Sequence, residues 1–593
     1  MKSLKPLYPY IRRHQWSIVA GIVFVFAANT LSPVIPVIVG QAVNLAEHQR
    51  IDTKGLFTFA VLAVCISAIA ACFLFLMRRV LIDISRDVEY EFRNDFFAKL
   101  QKLDSTFFDG NNTGDLMSRA TNDMDALRML IGPGVMYSAN TLMSLPMRLI
   151  WMFALDWKLT VVSIIPLLAL PPLVRHLGAK THTLSRFQQD SFGDLTTTVQ
   201  ENLSGIRVVK AYRQENYEES KFLDRNDDYI KRSLDLALVQ SVFFPIIRLV
   251  VGVGYALLLT YGGIQVIHNQ LEVGTLLSFF ILFSMLVWPL IAAGWVVNLI
   301  QRGIASLDRI RAIMEWKPTV IDASAIPVSE IPKSLAIDIR DLTFQYEGTT
   351  QPQLSNISLQ IPEGHTLGII GPVGSGKSTL VHLLGRLYPV SRGMIFIGGR
   401  DINDWPIDDI RKCISFVFQE TFLFSDTIEW NIRFGANPDT PDEKMLDAAR
   451  RAQVAADIEL FPQKYQTVLG ERGVNLSGGQ KQRVSIARAI ARDSRILVLD
   501  DSLSAVDTHT EEAILRDLRD IMKGRTTFLI SHRISTVSLA DEIIVLKEGC
   551  IAQRGTHEEL VSSPGLYREL YRRQQTEAEI ERLDATLGEV APA

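Results

Sequence analysis

Gly371-Pro372-Val373-Gly374-Ser375-Gly376-Lys377-Ser378 decides how the last third of this chain folds. The apolar run Leu367-Gly368-Ile369-Ile370 precedes it and reads as a buried strand, and Ser378-Thr379-Leu380-Val381 follows and starts a helix. A glycine turn between strand and helix gathers backbone amides and a helix N-terminus at one point, where they cradle phosphate. Lys377 then reaches the β and γ groups, and Ser378 holds Mg²⁺. A glycine-rich turn alone reads as a structural bend. Strand, Lys-Ser and helix together read as a P-loop.

A second apolar strand, Ile496-Leu497-Val498-Leu499, ends in Asp500-Asp501. Asp500 is placed to hold Mg²⁺ through water. Between the two, Leu476-Ser477-Gly478-Gly479-Gln480 opens another helix with a second nest of amides, suited to a γ-phosphate. One nucleotide does not need two cradles on one chain. The economical reading is that the second cradle serves a nucleotide held by another chain.

Around these motifs strands and helices alternate, which sets an α/β domain over 336–572. A charged tail, 573–593, follows, and its Glu577–Leu587 stretch reads as a solvated helix face. A linker of mixed polarity, 316–335, precedes the domain.

The apolar residues, 48% of the 593, concentrate before residue 300, and the mean hydropathy of +0.16 is high for a soluble enzyme. A net charge of −4 without a basic domain gives no support to a nucleic-acid partner. Cys65, Cys72, Cys413 and Cys550 show no metal spacing and predict no disulfide framework. A span needs roughly 20 apolar residues. Six candidates meet or approach that length: Ser17–Leu45, Leu56–Met77, Val135–Leu155, Leu159–Val174, Val239–Ile267 and Val273–Ile300. The fold expected is an α-helical transmembrane bundle of six spans over 16–315, followed by the α/β P-loop domain.

Residues 1–15 are basic and amphipathic and read as an interfacial helix rather than a cleavable signal. Lys and Arg crowd the segments 78–131 and 175–235 and are missing from His268–Glu272. The positive-inside rule puts both long segments, the termini and the P-loop domain in the cytoplasm. Each long segment stays helical, breaks at a turn such as Asp109-Gly110-Asn111-Asn112, and returns to the membrane. Two cytoplasmic helical hairpins are expected. Arg148 and Arg248 fall inside spans, where charge is costly and marks function. Arg248, with Phe244, Phe283 and Trp295, is a candidate lining for an amphiphile-binding cavity; lipid-facing packing is the plainer reading of the aromatics.

The motifs stand in the order found in ABC transporters, and nearly the whole chain resembles an ABC transporter half of the exporter type. On that resemblance Tyr346 matches the aromatic that stacks on adenine, and Gly371, Pro372, Val373, Gly374, Ser375, Gly376, Lys377, Ser378 and Thr379 match Walker A. Gln419 matches the Q-loop glutamine that touches Mg²⁺, and Glu471-Arg472-Gly473 the exporter X-loop. Ser477, Gly478, Gly479 and Gln480 match the signature, Asp507 in Ser504-Ala505-Val506-Asp507 the D-loop, and His532 the switch histidine. The resemblance also implies coupling helices at 112–119 and about 212–216.

The chain departs from the family at one place. Asp501 stands where a glutamate orients the attacking water. It is one methylene shorter, which withdraws the carboxylate by about 1–1.5 Å, an error that costs about 10²-fold. The other motifs are intact, so only water handling has changed. The pattern resembles the heterodimeric multidrug-type exporters of bacteria. The expected partner is a homologous half carrying glutamate, with ATP and Mg²⁺ as cofactors and a small amphipathic or hydrophobic cargo, in the bacterial cytoplasmic membrane among its lipids. A homodimeric lipid flippase of the same fold is the alternative, and a nucleotide-sensing membrane protein without transport a more distant one.

Overall fold

The computed structural model describes residues 5–590 apart from 323–331, 333, 437–439, 474 and 503–507. The chain forms two compact units: Met1–Lys102 with Asn112–Trp316, and Leu103–Asn111 with Lys317–Ala593.

The first unit is helical. Among the described residues, five of its helical stretches are long and apolar enough to cross a membrane: Gln15–Glu47, Thr53–Gln101, Trp157–Ser204, Glu215–Ile267 and Val273–Met314. The third expected span, Val135–Leu155, is a helix of 21 residues but is not among the five. Ser138, Asn140, Thr141, Ser144 and Arg148 dilute its apolar content. Six spans were expected, and five meet both criteria. The helix Thr53–Gln101, 49 residues, is about 70 Å long at 1.5 Å per residue. That exceeds a hydrocarbon core of about 30 Å, so it overshoots as expected. The return helix carries two π-turns, Arg119–Asp123 and Leu130–Gly134. Leu170–Ser204 and Glu215–Leu257 pack along each other as the second hairpin, joined by the short helix Ile206–Ala211.

Small residues let helices meet closely. A Cβ on Gly274 would lie 1.9 Å from the Gly40 carbonyl oxygen. Across that contact the Gly274 amide donates to Asn44 Oδ1 at 2.6 Å, and Ser278 Oγ donates to the Pro36 carbonyl at 2.9 Å. These bonds satisfy polar groups where lipid offers no partner. Nearer the hairpins, Arg309 grips Asp123 with Nε at 2.9 Å and Nη2 at 2.5 Å. Phe283 is fully buried with Phe279, Leu282 and Leu286. Gly254 backs onto its ring, so Phe283 is core and not the cavity wall expected of it.

The second unit carries two sheets. Ile337–Phe344 (β1), Leu354–Ile361 (β2), Ile395–Ile397 and Arg400–Asp401 form an antiparallel sheet. Thr366–Ile370 (β3), Ile414–Val417 (β4), Ile496–Asp500 (β5), Thr526–Ile530 (β6), Glu542–Lys547 (β7) and Cys550–Gly555 (β8) form a six-stranded sheet in the order β8-β7-β3-β6-β5-β4. Strands β3, β4, β5, β6 and β7 are parallel. Their residues are nearly all buried and mostly apolar, as strands covered on both faces are. The start of the linker is pinned to this unit. Asp104 Oδ2 accepts from the amides of Thr319 and Val320, and Arg386 donates to the Ile321 carbonyl at 2.9 Å. The hairpin tip that belongs to this unit is Leu103–Asn111, with its helix at Ser105–Asp109, several residues ahead of the coupling helix expected at 112–119.

Gly274→Val drives a branched side chain into the Gly40 backbone, and overpacking of this kind costs about 1–3 kcal/mol or more. Thermal unfolding in detergent is expected to show a clear fall in Tm for Gly274→Val and little change for Gly178→Val, where a Cβ meets nothing within 4 Å.

Candidate functional site

The register of the central sheet assembles the site. Ile369 of β3 lies beside Ile530 of β6, and Ile530 beside Asp500 of β5. The loops after these three strands therefore leave one edge, the end where parallel sheets bind ligands. They carry the P-loop, His532 and Asp501. A cleft of about 150 Å³ at that edge is lined by the P-loop residues 373–379 with Gln353, Gln419, Asp500, Asp501, Ile530 and His532. Ser477 to Gln480 are not among its walls.

Glycine is needed twice here. Gly371 packs where a Cβ would lie 2.2 Å from the Leu546 carbonyl oxygen. Gly376 has φ +96° and would place a Cβ 2.8 Å from the Gln353 carbonyl. Ser375 Oγ is buried without a hydrogen-bond partner among the described residues, an orphan that a phosphate oxygen would satisfy. Lys377 is buried, and its Nζ donates to the carbonyls of Gly371 and Pro372 at 2.9 and 2.8 Å. Burial holds its pKa below the usual lysine range, against the pull of Asp500 and Asp501. Burial raises the pKa of the Asp500 carboxylate, and the nearby Ser378 hydroxyl opposes that rise. Asp501 is 9% exposed and sits at φ 45°, and its amide donates to the Ile530 carbonyl at 2.9 Å. Aspartate enters that left-handed region more readily than most residues.

Tyr346 joins the P-loop through its hydroxyl, 3.0 Å from Thr379 Oγ1. Its ring meets Tyr388 edge-on at 5.1 Å, and Tyr388 donates to Asp109 at 2.8 Å. The position expected to stack on adenine is thus two contacts away from the hairpin tip of its own unit. Ser477 caps the helix Gly478–Ala491 in a capping box with Gln480, and Ser477 and Gly478 are exposed. Asp507 lies outside the described residues. In the first unit Trp295 lines a cavity. Arg248 and Phe244 are exposed and do not line it.

The comparisons agree with this geometry. Residues 18–290 match the model of the ABC transporter transmembrane region, and 354–504 that of the ABC transporter domain. A multidrug resistance-like ATP-binding protein of Escherichia coli is 35% identical over 98% of this chain and 98% of its own length. The chain belongs to the ABC transporter family. An ATP-dependent lipid A-core flippase of Syntrophus aciditrophicus is 36% identical over 84% of this chain and 82% of its own. A bacterial Atm1-family ABC exporter with ATP bound superposes with a TM-score of 0.76 at 26% identity, covering 95% of this chain and 99% of that one. The protein is an ATP-hydrolysing ABC exporter with a multi-pass membrane region.

Two residues of the transporter's site carried no motif. Gln353 Nε2 donates to the Gly374 carbonyl at 2.8 Å and holds the P-loop. Gln574 clamps the switch loop: it donates to the His532 carbonyl at 2.7 Å and accepts from the Ile534 amide at 2.8 Å. It lies two residues beyond the expected end of the domain, on the helix Leu566–Val590, so the first turns of the expected tail belong to the ATPase. A glutamine in a charged helical stretch gives no signal in sequence.

Gln574 positions a loop and does not touch the reacting atoms. Gln574→Ala is expected to lower kcat about tenfold, with ATP affinity nearly unchanged, because a loop misplaced by a fraction of an ångström harms the transition state more than binding. Steady-state ATPase assays beside equilibrium ATP binding check the split.

Proposed function

We propose that this exporter chain is one half of a two-chain machine, paired with a homologous but different half, and that its own ATP site is the slow one. One observation carries the reading. The cleft gathers the P-loop, Asp500, Asp501, Gln419 and His532, and the Ser477–Gln480 cradle stands apart from it. A second chain's cradle would close over the ATP held here, and this chain's cradle would close over the partner's ATP.

In this reading Lys377 and the loop amides bind the β and γ phosphates. Ser378, Asp500 and Gln419 offer hard oxygen donors, the set that suits Mg²⁺. When bound, that ion neutralises charge developing between the β and γ phosphates. Asp501 orients the attacking water from a withdrawn position, and His532 senses the γ-phosphate. Closure of the two cradles turns the transmembrane cavity outward, and hydrolysis at the fast site reopens them. The cargo is amphipathic or hydrophobic. The machine sits in the bacterial cytoplasmic membrane, with termini and ATPase domains cytoplasmic.

A homodimeric lipid flippase is the second reading, favoured by the 36% identity to the lipid A-core flippase. Tagged and untagged copies expressed together separate the two: co-purification of both as an active pair supports the homodimer.

Asp501→Glu restores the missing methylene, at some cost from the left-handed backbone. Turnover of the purified chain is expected to rise at least about tenfold. An unchanged or lower rate means that Asp501 already serves well and removes the slow-site reading.

Acidity gives another check. Burial raises the Asp500 pKa, so protons compete with Mg²⁺ at a higher pH than at an ordinary carboxylate. ATP affinity measured with and without Mg²⁺ between about pH 8 and about pH 5 is expected to show the Mg²⁺-dependent gain shrinking on acidification. A gain that stays flat across that range contradicts the role given to Asp500.

A further inference from the structure

The first unit carries an open cavity of about 780 Å³, most of whose lining residues are exposed, that no motif announces. Trp295, Asn298, Leu299 and Arg302 line it from the helix Val273–Met314. Asn122, Asp125, Ala126 and Met129 line it from the return helix, and His182 from a third. Both stripes recur at three- and four-residue spacing, so each is one helix face. The two faces run in opposite directions. Asp123 meets Arg309, Leu130 backs onto Gly303, Gly134 onto Leu299, and Tyr137 stacks edge-on with Trp295 at 5.0 Å.

Along the helix Val273–Met314 the lining runs from Trp295 through Asn298 and Leu299 to Arg302, and Met129, beside Leu130, lies level with Arg302. Asn122 and Asp125 lie farther along, toward the Asp123–Arg309 pair. The charges of Asp125 and Arg302 do not cancel. Asp125 is already held by Arg128, with Nη2 at 2.5 Å and Nε at 3.1 Å. Arg302 makes no ion pair or hydrogen bond with any described residue. The cavity therefore offers one uncommitted guanidinium a helical turn from Asn298, with the ring of His182 in the same lining. A guanidinium fork pairs best with a carboxylate or phosphate. The π-turn Arg119–Asp123 re-aims this face of the return helix, a distortion common at functional sites.

We propose that this cavity binds an anionic amphiphile, with its carboxylate or phosphate on Arg302, Asn298 and His182 and its apolar body against Trp295 and Leu299. The inference rests on the exporter reading and names the class of its cargo.

A dodecyl phosphate with a bromine-bearing tail is the probe. Its saturable quenching of tryptophan fluorescence is measured on the full chain in phosphatidylcholine nanodiscs. The same tail on a trimethylammonium head is the comparison. The phosphate is expected to bind about tenfold or more tighter than the ammonium. Arg302→Ala is expected to remove that preference, Arg302→Lys to keep most of it, and Trp295→Phe to remove the saturable quenching. Basal ATP turnover of each variant is measured alongside to show that its ATPase is still assembled. The headgroup comparison uses the unmutated chain and stands even where a variant does not fold. Equal binding of the two heads, or a preference that survives Arg302→Ala, overturns the proposal. Retained ATP turnover alongside such a result overturns the cargo class alone and leaves the exporter reading in place. Nanodiscs containing phosphatidylglycerol identify the source. Competition with the probe assigns the site to a bilayer lipid, and undiminished binding assigns it to a free amphiphile.

Discussion

The backbone of Gly371 lies against the Leu546 carbonyl so closely that no side chain fits between them. That contact seats the P-loop on the central sheet, and the rest of the site depends on it. The register of β3, β5 and β6 then brings Asp500, Asp501 and His532 to the same edge. A phosphate cradle made of backbone amides is open on one side by construction. It holds a nucleotide but does not surround it, and in the reading proposed the cradle at Ser477 closes over a nucleotide held by another chain.

Much of this was legible because the chemistry leaves few options. A strand, a glycine turn, Lys-Ser and a helix have one common purpose, and Asp-Asp at the end of a buried strand has few others. The second hairpin and five of the six spans read well for a similar reason, since lipid demands long apolar helices. The third span was harder to weigh. Val135–Leu155 is long enough, yet its polar residues keep it below the apolarity of the others. Its neighbours, not its composition, make it a helix of this bundle.

Other features were not legible, and the reasons are physical. Aromatic residues in a membrane helix pack equally well on lipid, core or cargo. Phe283 proved to be core and Trp295 cavity lining, though both lie on the same helix. The distinction depends on which face a neighbour covers. The clamp by Gln574 and the Asp109–Tyr388 link join residues 42 and 279 positions apart. No local pattern encodes such pairs. The turn read at Asp109 to Asn112 does separate two helices, Ser105–Asp109 and Thr113–Ser118, but no local signal announced the first of them.

Asp501 bears on rate, and the divided cradles bear on assembly. The second is the more basic claim, because a slow base still needs a closed site to act in. ATP binding and turnover measured in nanodiscs that hold one copy of the chain test it most directly. The account predicts that a single copy binds ATP and does not hydrolyse it above background. Sustained turnover by a single copy would contradict it.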